Sequence, residues 1–171
     1  MSNIRRFPPN GAPIFITAVC RERFPFLIDP ASKTLLLDVL REIKETMQFQ
    51  MIAYVILDEH FHWLVKPTSH DISKIMQSVK LRFTKRFSAA HGKPRGGSCW
   101  QPRFWDHVIR NQSDLNRHLD YIHYNPVKHG YVRRPINFAY SSFSTYVDNG
   151  AYDLQWGIQS EPDTLKDMAL E

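Results

Sequence analysis

Cysteine, glycine and long apolar runs are all scarce in this chain. Its 171 residues include two cysteines, Cys20 and Cys99, with no CxxC spacing. That excludes a disulfide framework and a thiolate metal site, and leaves reduced thiols as the default. No stretch approaches the roughly 20 apolar residues that a membrane-spanning helix needs. The opening MSNIRRFPPN also has no apolar core of signal-peptide length. The expectation is a cytoplasmic protein with no membrane contact. No internal repeat or low-complexity tract interrupts the chain. Of its seven glycines, three fall in residues 88–98 beside Pro94 and basic residues, which argues for a mobile loop inside one domain.

What is present suits one core and a polyanionic partner. The chain is 43% hydrophobic and carries a net charge of +5, and its length fits a single domain. Residues 158–171 hold Glu161, Asp163, Asp167 and Glu171 against Lys166 alone. They divide off as an acidic tail, expected to be flexible, and leave eight net positive charges on residues 1–157. A body so basic fits nucleic acid, because each phosphate it neutralises releases counterions.

The periodicities predict an α+β fold. Ile14–Val19 is β-branched and aromatic and reads as a strand after the Pro8-Pro9-Asn10-Gly11 turn signals. Leu36, Val39, Leu40, Ile43 and Met47 have helical spacing, giving a helix from about Ala31 to Met47. Met51–Leu57 and His60–Lys66 read as a hairpin around Asp58-Glu59. Ile72, Ile75, Met76, Val79 and Phe83 define a helix from about Asp71 to Ala89. Phe104–Ile109 reads as a fourth strand. A third helix starts at an Ser113 N-cap and stops near Asn125, because Pro126 disfavours helical geometry before it. The order β-α-β-β-α-β is the split βαβ, ferredoxin-like plan with an antiparallel sheet. The third helix is expected on the sheet face that the first two leave uncovered.

His60 and His62 are two apart on a strand, so both imidazoles project from one sheet face while Phe61, Trp63 and Val65 point to the other. Tyr121 and Asn125 are four apart on the third helix and share a face. Two imidazoles and an amide oxygen suit Mg²⁺ or Mn²⁺ with positions open for phosphate oxygens. Taken alone, these residues favour a packed tyrosine, a capping asparagine and two core or surface histidines.

Three blocks decide between these readings: His60-Phe-His-Trp-Leu-Val-Lys-Pro67, Trp100-Gln-Pro-Arg-Phe-Trp-Asp-His-Val-Ile-Arg110 and Asp120-Tyr-Ile-His-Tyr-Asn-Pro-Val-Lys-His-Gly130. In this order, within residues 4–147, the chain closely resembles the REP-associated tyrosine transposases of the HUH endonuclease superfamily. The resemblance implies a His-hydrophobe-His metal site matched by His60 and His62, a nucleophile matched by Tyr121, and a further metal ligand matched by Asn125. Tyr124 is the rival nucleophile, rotated about 60° from Tyr121 around the helix. The implied activity is cleavage and rejoining of single-stranded DNA beside repetitive extragenic palindrome hairpins through a 5′-phosphotyrosine. The proton acceptor would be metal-bound water or His118. The alternatives are a hairpin-binding protein that does not cut and a metal-dependent nuclease that activates water. Arg5, Arg6, Arg103, Arg110, Lys128, Arg133 and Arg134 are candidates for phosphate and base contacts, and Trp100, Phe104 and Trp105 for stacking on unpaired bases. The resemblance also implies a self-contained monomer with a C-terminal extension over residues 138–152, with a homodimer as the alternative, and nucleoid association when DNA is bound.

Overall fold

A computed structural model describes residues 11–68 and 71–168. Its elements are β1 (Ile14–Val19), α1 (Pro30–Met47), β2 (Gln50–Ile56), β3 (His60–Lys66), α2 (Ile72–His91), β4 (Trp105–Val108), α3 (Gln112–Lys128) and the short α4 (Phe143–Asp148). The four strands form one antiparallel sheet in the order β2-β3-β1-β4, as the split βαβ plan requires. No described helix is long and apolar enough to cross a membrane.

Alternation along the strands divides the core in two. Ile14, Ile16, Ala18, Phe61, Trp63 and Val65 face α1 and α2, where Leu36, Leu40, Ile75 and Val79 meet them. Phe15, Val55 and Leu64 face the other way and pack with Tyr121 and Ile122 of α3. Each fully buried large side chain of this kind stabilises the fold by roughly 1.5–3 kcal/mol. Register shifts between Met51 and Ala53, a bulge at Ile52. The Ile52 carbonyl accepts a hydrogen bond from the Tyr146 hydroxyl at 2.8 Å.

Helix ends differ from the sequence expectation in instructive ways. α1 starts at Pro30 after Asp29, since proline at the first position gives up only an N–H that has no intrahelical partner. α2 runs on to His91, so part of the expected loop is helix. The remainder is anchored: Arg21 donates to the Gly96 carbonyl at 3.1 Å, and a Cβ on Gly96 (φ +77°) would sit 2.6 Å from Arg21 Cζ. The N-cap of α3 is Asn111, not Ser113; its side chain accepts from Asp114 N at 2.9 Å. α3 also passes through Pro126 to Lys128. In its last turn the proline removes a single intrahelical bond, and His129 N closes the end on the Asn125 carbonyl at 3.0 Å.

The C-terminal third packs over α3 and the edge of β2. Ser141 bridges Val55, and Ser142 N donates to the Tyr54 carbonyl. His123 of α3 is fully buried among Phe143, Tyr146 and Tyr152, with Nε2 hydrogen-bonded to Ser142 Oγ at 2.9 Å. Composition suggested a flexible tail, but residues 163–165 form a turn against α3. There Leu165 is buried, Thr164 Oγ1 donates to Asp120 at 2.7 Å, and Arg117 donates to the Thr164 carbonyl. The apolar anchor and the polar contacts on either side outweigh the acidic composition.

Burial of His123 pushes its pKa down to about 3. A histidine held neutral in the folded state binds its proton mainly when unfolded, so stability falls as pH drops below the unfolded value near 6.5. Between pH 7 and pH 5 the loss is about 2 kcal/mol from this residue alone. Urea unfolding at the two pH values, with His123→Gln beside the wild type, should show a flatter pH response in the variant; parallel slopes would remove the assignment.

Candidate active site

Cross-strand register builds the floor. Val55, His62, Thr17 and Trp105 form one row across β2, β3, β1 and β4, all on the α3 side. His62 is fully buried and stacked on Phe15, with ring centroids 5.4 Å apart. Its Nδ1 is hydrogen-bonded to Thr17 Oγ1 at 2.9 Å. His60 lies one pleat away, its ring 4.9 Å from that of His62. The Glu59 carboxylate lies 3.4 Å from His60 Nδ1 and accepts a hydrogen bond from Arg23 at 2.9 Å. The turn before His60 is held by Lys33, which donates to Asp58 and to the Leu27 carbonyl, each at 2.6 Å.

α3 supplies the wall. Tyr121 is buried with its ring centroid 5.1 Å from that of His62 and 5.9 Å from that of Phe15. Two turns later the His129 ring lies 5.5 Å from that of His60. Residues 121, 125 and 129 share one helix face, so Asn125, fully buried, falls between contacts with His62 and His60. Lys128 Nζ stands 5.0 Å from the Tyr121 ring centroid. Tyr124 turns away instead, its edge on Trp156 at 6.2 Å.

Two imidazoles and an amide oxygen are ligand types suited to a divalent cation. An imidazole held through Nδ1 by a hydroxyl or carboxylate has its ring fixed and presents Nε2 as the ligand atom, the usual outer-shell pattern of metal-bound histidine. Among the described residues, one group of three His/Asp side chains has ligand atoms within 4.8 Å of one another: His107, Asp114 and His118. Its contacts explain it as a clamp between β4 and the start of α3. Asp114 accepts from His107 Nε2 at 2.9 Å and from Arg110 N at 3.0 Å. Burial alone would raise the Asp114 pKa, but these bonds, His107 first, bring it down to about 2. His118 Nδ1 is bonded to the Asp114 carbonyl at 2.8 Å, and burial lowers the pKa of this imidazole. The rings of His107 and His118 stack at 4.7 Å and 12°.

The other expected site residues separate. Trp105 is 44% exposed beside the row that holds His62, stacked on His107 at 6.1 Å. Trp100 is 1% exposed, packed edge-on against Phe61 and Phe83; its burial in the core takes it out of the set available for stacking on bases. Phe104 is half-buried under Lys80. Arg103, Arg110, Lys128 and Arg133 are exposed and Arg134 half-buried. Arg5 and Arg6 lie outside the described residues. Thr17, Glu59 and Arg23 were missed because a strand threonine and a turn carboxylate have no motif of their own. The adjacency of Glu59 to His60 was the one available signal.

Comparisons with known proteins identify the family. The family described as "Transposase IS200 like" matches residues 13–125. A REP-associated tyrosine transposase of Escherichia coli (strain K12) is 34% identical over 158 residues, 91% of each chain. A protein of Haemophilus influenzae, provisionally given the same name, is 35% identical over 173 residues, covering 92% of this chain and 94% of that one. A solved structure of a REP-associated tyrosine transposase bound to a REP hairpin superposes with a TM-score of 0.76 at 34% identity, over 91% of each chain.

Proposed function

The chain belongs to the IS200-like transposases and, within them, to the REP-associated tyrosine transposases, enzymes that cleave DNA; from that premise we propose that it cuts one DNA strand beside a palindromic hairpin, with Tyr121 as nucleophile and a divalent cation held by His60, His62 and Asn125. The observation that carries this reading is the Tyr121 ring packed 5.1 Å from that of His62, on the helix face shared with Asn125. The relative solved with a REP hairpin supports the substrate class.

Tyr121 Oη attacks the scissile phosphorus. The new O–P bond forms as the bond from phosphorus to the 3′ oxygen breaks, the phenol gives up its proton, and the leaving 3′ oxygen gains one. The products are a 5′-phosphotyrosine and a free 3′-OH. Since the phosphodiester energy is retained, a second 3′-OH can reverse the step and join a new strand without ATP. When bound, the cation withdraws charge from the phosphate oxygens. Thr17 holds the His62 imidazole through Nδ1, and the Glu59 carboxylate stands 3.4 Å from His60 Nδ1. Lys128, beside the tyrosine ring, adds positive charge where the phosphate arrives. We propose that Arg110, Arg133 and Arg134 contact the backbone, that Trp105 stacks on an unpaired base, and that Mg²⁺ or Mn²⁺ is the cation.

Labelled single-stranded hairpins made from palindromes of the source genome, run on denaturing gels with Mg²⁺, Mn²⁺ or EDTA, test the reading. The expected result is metal-dependent cleavage with a protein-linked DNA band. Tight binding without cleavage in any metal would make the chain a hairpin-binding protein instead.

A further inference from the structure

The sheet face opposite the tyrosine carries a second basic surface. Between α2 and residues 98–104 runs a groove of about 1000 Å³. Arg21, Lys74, Lys80 and Arg103 line it with no acidic residue, and Leu81 and Phe104 supply apolar surface. Two of these cations build the walls. Lys80 donates to the carbonyls of Gln101, Pro102 and Arg103 at 2.8, 3.3 and 3.2 Å, tying the outer wall to α2, while Arg21 anchors Gly96. The other two, Lys74 and Arg103, are exposed and carry no ion pair among the described residues. Leu81, 64% exposed at the rim, is apolar surface with no evident packing role.

The groove ends at the β4 edge of the sheet, on the face opposite the active site. Its outer wall runs directly into β4, an edge strand of the sheet. Phe104 borders the groove, and the next residue, Trp105, shares the cross-strand row of His62 on the other face. At the inner end, Gln101 N donates to the Val19 carbonyl, and Val19 pairs with His60. A strand leaving the groove around the β4 edge passes β4 and β1 before it reaches the ligands on β3.

We propose that this groove binds the unpaired DNA strand flanking the hairpin, with Lys74 and Arg103 on its phosphates and the Leu81–Phe104 surface against its bases. The inference rests on the DNA-cleaving function above and adds a second contact region on the α2 side. Positive charge without acidic neighbours calls for a polyanion. Exposed apolar surface inside a concave groove favours unpaired bases over a duplex, whose outer surface is phosphate and sugar.

The test measures affinity by fluorescence anisotropy for one hairpin in two forms: blunt, and with a single-stranded extension of about ten nucleotides at its 5′ or 3′ end. Tyr121→Phe prevents cutting throughout, and Lys74→Glu with Arg103→Glu is compared in that background. The extension should tighten binding by at least about tenfold at one end. The double variant should lose that gain, bind the blunt hairpin within about twofold of its parent, and show a salt slope shallower by about 1.4, two phosphates at 0.7 each for single strands. A gain that survives both substitutions overturns the proposal. So does an equal loss on both forms, which would place the stem in the groove. If the parent binds neither form, the DNA-cleaving function itself fails.

Discussion

Tyr121→Phe should abolish cleavage and the protein-linked DNA band, by on the order of 10⁴-fold or more, while hairpin affinity stays within about twofold. The substitution removes one oxygen from a ring packed against Phe15 and His62, so the fold keeps its packing and the loss is chemical. Tyr124→Phe is the control, because that ring lies against Trp156 rather than the imidazoles; it should cut normally. Cleavage that survives in Tyr121→Phe would mean attack by an activated water, and the tyrosine reading would fail. Should Tyr124→Phe be the inactive variant, the nucleophile was assigned to the wrong turn of α3.

Replacing His62 with alanine should remove metal binding as well as cleavage. Mn²⁺ at about 100 times its dissociation constant raises stability by roughly 2.7 kcal/mol when it binds only the folded state. Thermal melts with Mn²⁺ and with EDTA therefore read the site without any DNA. His62 is fully buried, so the variant will melt lower in both buffers through its cavity; what matters is that the gap between the two buffers closes. Thr17→Val keeps the size of the side chain but removes the hydroxyl from His62 Nδ1, and should weaken Mn²⁺ by about 10- to 100-fold. Thr17→Ser should restore most of that. A metal-induced shift unchanged in His62→Ala would place the cation elsewhere, and His107, Asp114 and His118 would be the next residues to substitute.

Much of this site is written in short-range pattern. The spacing of His60 and His62 puts them on one pleat, and the spacing of Tyr121 and Asn125 puts them on one helical turn, whatever surrounds them. Where pattern failed, competition between local and tertiary effects was the cause. Pro126 read as a stop, yet a proline in the last turn forfeits little. Trp100 read as a stacking platform, yet packing against Phe61 and Phe83 claimed it. Within the acidic C-terminal segment, Leu165 and the bonds from Thr164 to Asp120 and from Arg117 to the Thr164 carbonyl tie residues 163–165 to α3.

From the sequence alone came the element order, the split βαβ plan, the His60–His62 and Tyr121–Asn125 pairings and the family, because side-chain periodicity of 2 and 3.6 is a property of the local backbone and the motifs are contiguous. Only the tertiary structure decided that α3 runs along β3 so that Tyr121 meets His62 and His129 meets His60. It also decided that Tyr124 faces away, and that Thr17 stands behind the His62 imidazole. Those relations join residues dozens of positions apart, and they arise from cross-strand register and helix packing, which no local spacing encodes.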